Sequence, residues 1–316
     1  MAAKSVFAVV LALIASGCGG SAPVTPTPLL AIVCPAPASA RAAPGASTAA
    51  VTFAAPTATG GKAPVTTTCS PVSGAEFAVG STMVSCTAVD VAGRSAACTF
   101  AVTVDAAPIP QLAYTKYLGF GDSQTEGKVS AVPAVVFPTA YTLKLQSLLQ
   151  ARYSAQTVVV SNDGLGGQRV SDPDTLKRFD EALAREAPQA VMIMDGANDL
   201  YGLQKDGIGP AISAIATLGE HASGKGVQVL LATLPPMDPS KLKGAGAVAV
   251  VPFNAQLASL AASRNWTLVD VYAAFKGDLS LVGADGLHPT DAGYQVVAQA
   301  FFEAIVARFD RPPAGR

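Results

Sequence analysis

A serine in a setting typical of nucleophiles occupies position 123. It belongs to residues 120–127, Phe-Gly-Asp-Ser-Gln-Thr-Glu-Gly, which continue a short apolar run that begins at residue 117. That run has the length of a buried strand, and the glycine at its end indicates a tight turn. Open α/β sheets carry their chemistry at the carboxyl ends of strands, so Ser123 is a candidate nucleophile. Because serines in such triplets often only form turns, catalysis also requires a base elsewhere in the chain.

The candidate base is His288, in the segment Asp-Gly-Leu-His-Pro at residues 285–289. A serine hydroxyl is a weak nucleophile until a base takes its proton, and the pKa of histidine suits that task near neutral pH. The chain has only two histidines, and His221 lies near the end of a predicted helix, which favours a solvated or capping role. Asp285 precedes His288 by three residues, so its carboxylate could accept the ring N–H and stabilise the imidazolium. The alternative for His288 is a loop residue stacked on Pro289.

The elements that must bring these residues together alternate along the C-terminal two thirds of the chain. Near-continuous apolar runs of strand length are typical of strands buried on both faces. Their alternation with helical segments predicts a parallel sheet between layers of helices. The predicted strands are 117–120, 157–160, 190–194, 227–231 and 267–271, and the predicted helices are 139–153, 174–185, 210–223, 252–264 and 291–308.

Polar residues follow four of these strands, and the carboxyl ends of parallel strands converge on one rim. Ser123 follows the first strand, residues 162–169 the second and residues 195–199 the third; residues 285–288 come after the fifth. The glycines of the second loop would let a backbone N–H approach a substrate closely. Asn198 in the third loop offers an uncharged amide donor. The alternatives are a flexible turn for the glycines and a helix N-cap for Asn198.

Residues 114–310 resemble the SGNH (GDSL-type) hydrolases through this succession of Ser, Gly, Asn and His. The resemblance implies a flavodoxin-like three-layer α/β/α domain. It implies that Ser123 is the nucleophile and that His288 is the general base, oriented by Asp285. It also implies an oxyanion hole formed by the backbone N–H groups of Ser123 and Gly167 and by the side-chain amide of Asn198.

Two features of the sequence qualify the resemblance. Gly164 and Gly166 are close neighbours of Gly167 and remain alternatives for the backbone donor. Gln124 stands where the family usually has leucine, which raises the question of how the residues behind the nucleophile pack.

The segment at residues 29–105 has a different pattern. Short β-branched segments alternate with Gly and Pro, and in residues 98–104 the alternation puts Phe100, Val102 and Val104 on one face. Residues 90–94 between the last two strands indicate a hairpin turn. Several short strands at this spacing predict a β-sandwich. The other predicted strands here are 49–53, 65–69 and 82–89.

Four cysteines in this segment carry a second resemblance. Cys34-Pro, Cys69-Ser-Pro-Val-Ser-Gly, Val-Ser-Cys86-Thr-Ala-Val-Asp and Cys98-Thr-Phe resemble a hyalin repeat (HYR) domain, an immunoglobulin-like β-sandwich of extracellular proteins. The resemblance implies an adhesion or spacer role without catalysis. Four cysteines allow three connectivities. We favour Cys69–Cys86 across a hairpin and Cys34–Cys98 between the first and last strands.

The first 18 residues are typical of an export signal. Lys4 supplies the positive charge, and residues 6–15 form an apolar region of the expected length. The following Ala-Ser-Gly-Cys resembles the lipobox of bacterial lipoproteins, which implies lipidation of Cys18; a cleaved signal peptide or an uncleaved anchor are the alternatives. Lipidation leaves an even set of four cysteines, which suits disulfides in an oxidising compartment. Residues 19–28 are predicted to be a tether, and residues 106–113 a stiff linker.

Composition narrows the function classes. Half of the residues are hydrophobic and 14% are charged, which permits a sizeable core and disfavours global disorder. The net charge of −1 and the lack of a basic run disfavour the binding of nucleic acid, which requires positive charge to neutralise phosphates. We expect no apolar segment after the N-terminus long enough to span a bilayer, and no metal or other cofactor.

The sequence thus predicts an exported, lipid-anchored serine esterase acting on short acyl esters or O-acetyl groups of sugars, through an acyl-enzyme on Ser123. The alternatives are a cell-envelope O-acetyl esterase, an acyltransferase, or a surface adhesin with an inert hydrolase domain.

Overall fold

The chain divides into two structural units, with the boundary between Ala106 and Ala107. The computed structural model describes residues 28–130 and 140–311. The predicted signal peptide, Cys18 and residues 19–27 of the predicted tether therefore lie outside the described residues.

The described part of the N-terminal unit forms eight strands. They are β1 (Ala31–Val33), β2 (Ala38–Arg41), β3 (Thr48–Ala50), β4 (Thr57–Thr59), β5 (Val65–Ser70), β6 (Glu76–Ala78), β7 (Gly80–Asp90) and β8 (Ser95–Asp105). The largest sheet has the order β2-β8-β7-β5, while β1 pairs with β4 and β3 with β6. Strand β2 is parallel to β8, and the other pairs are antiparallel.

The core of this unit follows the predicted alternation. Phe100, Val102 and Val104 are buried on one face of β8, as expected. The hairpin turn at residues 90–94 is also confirmed, because β7 ends at Asp90 and β8 begins at Ser95. The strand predicted at 49–53 is shorter, since the Phe53 N–H donates to the Ser73 hydroxyl instead of a neighbouring strand.

Two disulfides close this unit. Cys34 is bonded to Cys98 and Cys69 to Cys86, which is the connectivity favoured from the sequence. Cys69 and Cys86 face each other on the paired strands β5 and β7.

The C-terminal unit is a five-stranded parallel sheet flanked by helices. Its strands and helices are β9 (Gln111–Leu112), β10 (Lys116–Gly121), α1 (Ser123–Glu126), α2 (Tyr141–Arg152), β11 (Val159–Gly164), α3 (Thr175–Glu186), β12 (Ala190–Met194), α4 (Ala197–Leu203), α5 (Ile208–Gly224), β13 (Gln228–Ala232), α6 (Ala247–Arg264), β14 (Thr267–Val269), α7 (Val271–Ala274), α8 (Asp291–Phe309) and β15 (Asp310–Arg311). The sheet order is β11-β10-β12-β13-β14, and β9 pairs with β15. All five residues of β12 are buried, as a strand covered on both faces requires.

The register of the three strands at one edge positions the site. Gly121, the last residue of β10, pairs with Gly164 of β11 on one side and with Met194 of β12 on the other. The three strands therefore end at one level, and the loops that leave them share a rim.

Several element boundaries differ from the prediction, and two of them have a clear physical reason. Strand β11 starts two residues later and runs through Gly164, because Asn162 and Asp163 pair with β10 although they are polar; an edge strand tolerates polar residues that an inner strand does not. Strand β14 stops at Val269 because the Asp270 carboxylate caps α7 by accepting the Ala273 N–H. The short helices α1, α4 and α7 were not predicted.

Helix α6 corrects one expectation. Together with the preceding turn it spans Gly244–Arg264, with a mean hydropathy of 1.4, and is long and apolar enough by length and composition alone to cross a membrane. Val250, Phe253 and Leu257 of this helix are buried in the core of the C-terminal unit. Of the apolar window of this helix, 39% is buried, so one face of α6 packs on that core.

Candidate active site

The candidate nucleophile lies on a turn that leaves little freedom. The Asp122 carboxylate caps α1 by accepting the Gln124 N–H at 2.9 Å, which makes Ser123 the first residue of that helix. Its backbone N–H is therefore one of the donors that a helix leaves without an internal acceptor. A Cβ on Gly121 would lie 2.0 Å from the Met194 carbonyl oxygen, so glycine is required where β10 passes β12.

The structure brings Ser123, His288 and Asp285 together. The Ser123 Oγ lies 2.8 Å from the His288 Nε2, and the His288 Nδ1 lies 2.6 Å from the Asp285 Oδ2. The side chains of Ser123 and His288 are almost fully buried. This is the arrangement in which a histidine takes the proton of a serine while a carboxylate holds the other ring nitrogen. The stacked-loop alternative for His288 does not account for these two contacts.

The loop that carries His288 is held by its own backbone. The other carboxylate oxygen of Asp285 accepts the N–H groups of Leu287 and His288, both at 3.1 Å. The His288 carbonyl accepts the Gly283 N–H at 2.8 Å. Since one oxygen of Asp285 orients the ring and the other fixes the turn, this residue has two structural duties.

Gln124, which stands where the family usually has leucine, packs behind the nucleophile and forms a hydrogen bond there. Its side chain is fully buried, and its Nε2 donates to the Leu287 carbonyl at 2.9 Å. Leu287 directly precedes His288. The amide thus ties the turn of the nucleophile to the loop of the base, which a leucine could do only through packing.

The three glycines after β11 differ in what their N–H groups do. The Gly164 N–H donates to the Asn162 side chain at 2.9 Å and is not available to a substrate. The N–H groups of Gly166 and Gly167 have no acceptor within residues 28–130 and 140–311. Gly167 has a φ of +87°, and a Cβ there would meet nothing within 4 Å. At Gly166 the Glu126 carboxylate is 2.5 Å from the position of such a Cβ, so the surroundings of Gly167 are the more open of the two.

Asn198 is the second residue of α4 and not its N-cap, because Gly196 occupies that position. The interpretation of Asn198 as an N-cap is therefore wrong. Its Nδ2 donates to the Gln168 carbonyl at 2.9 Å, which fixes the amide and leaves its second hydrogen for another acceptor. Gln168 follows Gly167, so two of the three predicted oxyanion donors are joined through this hydrogen bond.

Buried carboxyl groups lie beneath the nucleophile. Asp122 is fully buried, and besides the Gln124 N–H it accepts the Ala197 N–H at 3.2 Å, which joins the start of α1 to the start of α4. Burial, partly offset by these N–H donors, raises the pKa of Asp122 to about 7, and the nearby Asp199 also contributes to the rise. Burial, with Asp122 as a like-charged neighbour, raises the pKa of Asp195 well above its usual range.

The environment of His288 lowers its pKa below the ordinary value of 6.5. Burial is the largest cause, and the charges of Lys243 and Lys128 act in the same direction, while the hydrogen bond and charge of Asp285 oppose them. The Lys243 Nζ lies 3.5 Å from the Asp285 Oδ2. For Asp285 burial raises the pKa, but hydrogen bonds from the His288 ring and from the N–H groups of His288 and Leu287 outweigh it, so the net shift is downward.

The pH dependence of ester hydrolysis should report this shift. Only a neutral His288 can accept the proton of Ser123, so kcat/KM should rise with pH through a midpoint below 6.5. Replacing Lys243 with glutamine removes a positive charge that disfavours the imidazolium. The midpoint of Lys243→Gln should therefore lie at higher pH than that of the wild type. A pH–rate profile of both proteins checks this, and an unchanged or lower midpoint in the variant would contradict it.

The second histidine of the chain lies away from this site. The His221 Nδ1 lies 3.3 Å from the Asp180 Oδ2, and its side chain is 40% exposed, in keeping with the solvated role expected for it. Within the described part of the chain, no group of three or more His, Cys, Asp or Glu side chains is arranged to hold a metal ion.

Two residues that support the site, Asp122 and Gln168, were not predicted from the sequence. An aspartate directly before a helix is a common N-cap and could have been recognised, whereas nothing local marks Gln168.

Comparisons with known proteins agree with this geometry. Residues 120–296 match the model of the GDSL-like Lipase/Acylhydrolase family, and residues 25–104 match that of the HYR domain. A lipase/acylhydrolase from Enterococcus faecalis is similar in structure, with a TM-score of 0.52 and 26% identity, covering 64% of this chain and 99% of its own.

A variant of an acetyl xylan esterase from Geobacillus stearothermophilus shares the fold, with a TM-score of 0.50 and 24% identity, covering 61% of this chain and 96% of its own. Another variant of that enzyme, described as an acetyl-xylooligosaccharide esterase, has the same TM-score and identity over 60% of this chain and 94% of its own. A search among curated proteins returned no match. The parallel sheet, the strand-end site and the matched residues lead to one conclusion: the chain belongs to the GDSL-like lipase/acylhydrolase family and carries an HYR domain before its hydrolase domain.

Proposed function

We propose that this protein is a serine esterase that hydrolyses short acyl esters, in particular O-acetyl groups on sugars. The observation that carries the proposal is the contact of 2.8 Å between the Ser123 Oγ and the His288 Nε2, with Asp285 behind the ring. Ser123 would attack the ester carbonyl while His288 takes its proton. His288 would then return that proton to the leaving alcohol, and a water activated by His288 would release the acid from the acyl-enzyme.

The oxyanion of each tetrahedral intermediate would be stabilised by the N–H groups of Ser123 and Gly167 and by the amide of Asn198. Preorganised donors of this kind are each worth about 3 to 4 kcal/mol in the transition state. Asn198 suits the task because it is neutral and already anchored to the Gln168 carbonyl.

The preference for a short acyl group rests on Glu126. A Cβ built on Gly166 would lie 2.5 Å from the Glu126 carboxylate and 3.7 Å from the Ser123 Cβ, which places the carboxylate close to the nucleophile. A polar, ionisable side chain there would make the burial of a long apolar chain costly. Because similar proteins are described as acetyl xylan and acetyl-xylooligosaccharide esterases, acetylated glycans are the first substrates to test.

The proposal is tested with a chain-length series of p-nitrophenyl esters and with acetylated xylan. We expect the highest kcat/KM on the acetate, a decline with chain length, and release of acetate from xylan. Ser123→Ala should abolish all of these activities, whereas Ser147→Ala, which alters an exposed serine on α2, should leave them unchanged. Turnover that depends on an added alcohol would indicate an acyltransferase instead. No activity of the wild type on any ester would favour an adhesin with an inert hydrolase domain.

We also propose that the protein is exported and anchored to a membrane through a lipid on Cys18. The support is the sequence pattern of residues 1–18 together with the two disulfides, which suit an oxidising compartment. Cys18→Ser should release the protein into the soluble fraction, as judged by fractionation of cells that express it. Retention of the variant in the membrane fraction would overturn the proposal.

A further inference from the structure

A largely buried arginine lies behind the candidate active site and belongs to none of the roles described so far. Arg178 projects from α3, and only 17% of its side chain is exposed. Its guanidinium carbon lies 3.9 Å from the centroid of the Phe120 ring, so the planar group is stacked on the last aromatic residue of β10. Stacking and burial together hold the guanidinium in one orientation.

The guanidinium donates to three different segments. Its Nη2 donates to the Gly121 carbonyl at 3.1 Å, and its Nη1 donates to the Asp163 carbonyl at 2.8 Å as well as to the Asp163 carboxylate. Its Nε donates to the Gln168 Oε1 at 2.7 Å. One rigid group therefore links the end of β10, the end of β11 and the loop that follows β11.

Two of these segments lead directly to predicted oxyanion donors. Gly121 lies two residues before Ser123, and Gln168 lies directly after Gly167. The Gln168 carbonyl also accepts the amide of Asn198 at 2.9 Å. By holding the Gln168 side chain, Arg178 thus restrains the positions of Gly167 and Asn198. By holding the Gly121 carbonyl, it restrains the position of Ser123.

We propose that Arg178 is a positioning residue of the oxyanion hole, which sets the spacing of its donors through Gly121 and Gln168. The inference depends on the esterase function proposed above. Arg178 itself does not contact the reacting atoms. A displacement of about 1 Å in such a site can cost about 100-fold in rate, so a residue that fixes the spacing has a kinetic effect distinct from its effect on folding.

The test separates positioning from stability. Arg178→Lys keeps the charge but cannot donate to three acceptors from one plane. Gln168→Met removes the acceptor of the Arg178 Nε at nearly constant length, and Gln168→Glu keeps an acceptor at that place. The matched control is Arg185→Lys, since Arg185 bonds the same Asp163 carboxylate from a half-exposed position but has no hydrogen bond to Gly121 or Gln168. For each variant kcat and KM are measured with p-nitrophenyl acetate, and thermal unfolding is recorded.

We expect Arg178→Lys to lower kcat by about 10- to 100-fold with little change in KM, at temperatures where the protein is fully folded. Gln168→Met should lose kcat in the same manner, and Gln168→Glu should lose less because it keeps the acceptor, while Arg185→Lys should stay close to the wild type. In a background of Asn198→Ala the further loss from Arg178→Lys should be smaller than in the wild type, because the hole is already impaired.

Several outcomes would overturn the inference. They are a kcat of Arg178→Lys within twofold of the wild type, a loss confined to KM, and an undiminished loss in the Asn198→Ala background. If Arg178→Lys does not fold, the Gln168 pair decides, and equal kcat values for Gln168→Met and Gln168→Glu would overturn it. A wild type without esterase activity would instead refute the proposed function, so the two failures are distinguishable.

Discussion

His288→Ala is expected to lower kcat/KM for p-nitrophenyl acetate by roughly 10⁴- to 10⁶-fold. The reason is that the Ser123 hydroxyl loses the base that lies 2.8 Å from it and keeps its proton at neutral pH. Ser123→Ala should cost a similar factor, and the double variant should be no worse than either single one, because the two residues act as a unit. Steady-state kinetics on the three variants measure this.

The second histidine of the chain supplies the control. His221→Ala alters a partly exposed residue paired with Asp180 and should remain within twofold of the wild type. Losses from Ser123→Ala and His288→Ala that multiply in the double variant would show that the two residues act independently. That result, or a His288→Ala variant within tenfold of the wild type, would contradict the proposed chemistry.

Asp285→Asn is expected to lower kcat by roughly 10³- to 10⁴-fold. An amide has nearly the shape of the carboxylate, so the loop should keep its fold, but it does not stabilise the imidazolium with a negative charge. It can also present its NH₂ to the His288 Nδ1, which places the ring proton on the Nε2 that must accept from Ser123. The midpoint of the pH–rate profile should fall as well, since Asp285 raises the pKa of His288.

The matched control for this change is Asp278→Asn. Asp278 is on the same connection and accepts from the backbone and hydroxyl of Ser280, but it has no contact with His288. It should keep wild-type kcat. Unfolding followed by circular dichroism would show whether the Asp285 variant remains folded, and a folded Asp285→Asn with wild-type kcat would refute the role assigned to the carboxylate.

Much of the fold was predictable because the inner strands of its sheet are buried on both faces. The run at residues 190–194 coincides with β12, since only apolar residues fit the middle of a covered parallel sheet. Strand β11 was misplaced for the opposite reason: Asn162 and Asp163 read as loop residues, yet they pair with β10 at the edge of the sheet. Helices α1 and α4 have four and seven residues, too few to show a helical period.

The candidate site was predictable where residue type limits the choice. With two histidines in the chain, the base was nearly decided before the fold was known. The supporting residues were not. Arg178 is 57 residues from Gly121, and its position in a helix of charged residues is typical of a solvated side chain. Only the folded chain shows that it reaches the end of β10.

The separation of 165 residues between Ser123 and His288 has a consequence for biosynthesis. A ribosome completes the first of these residues long before the second, and α8, which packs on α2, is translated after both. A nascent polypeptide therefore holds an unactivated hydroxyl until nearly all of the hydrolase region has emerged. The polypeptide therefore cannot hydrolyse esters through this pair until the segment that carries His288 has been translated and has folded.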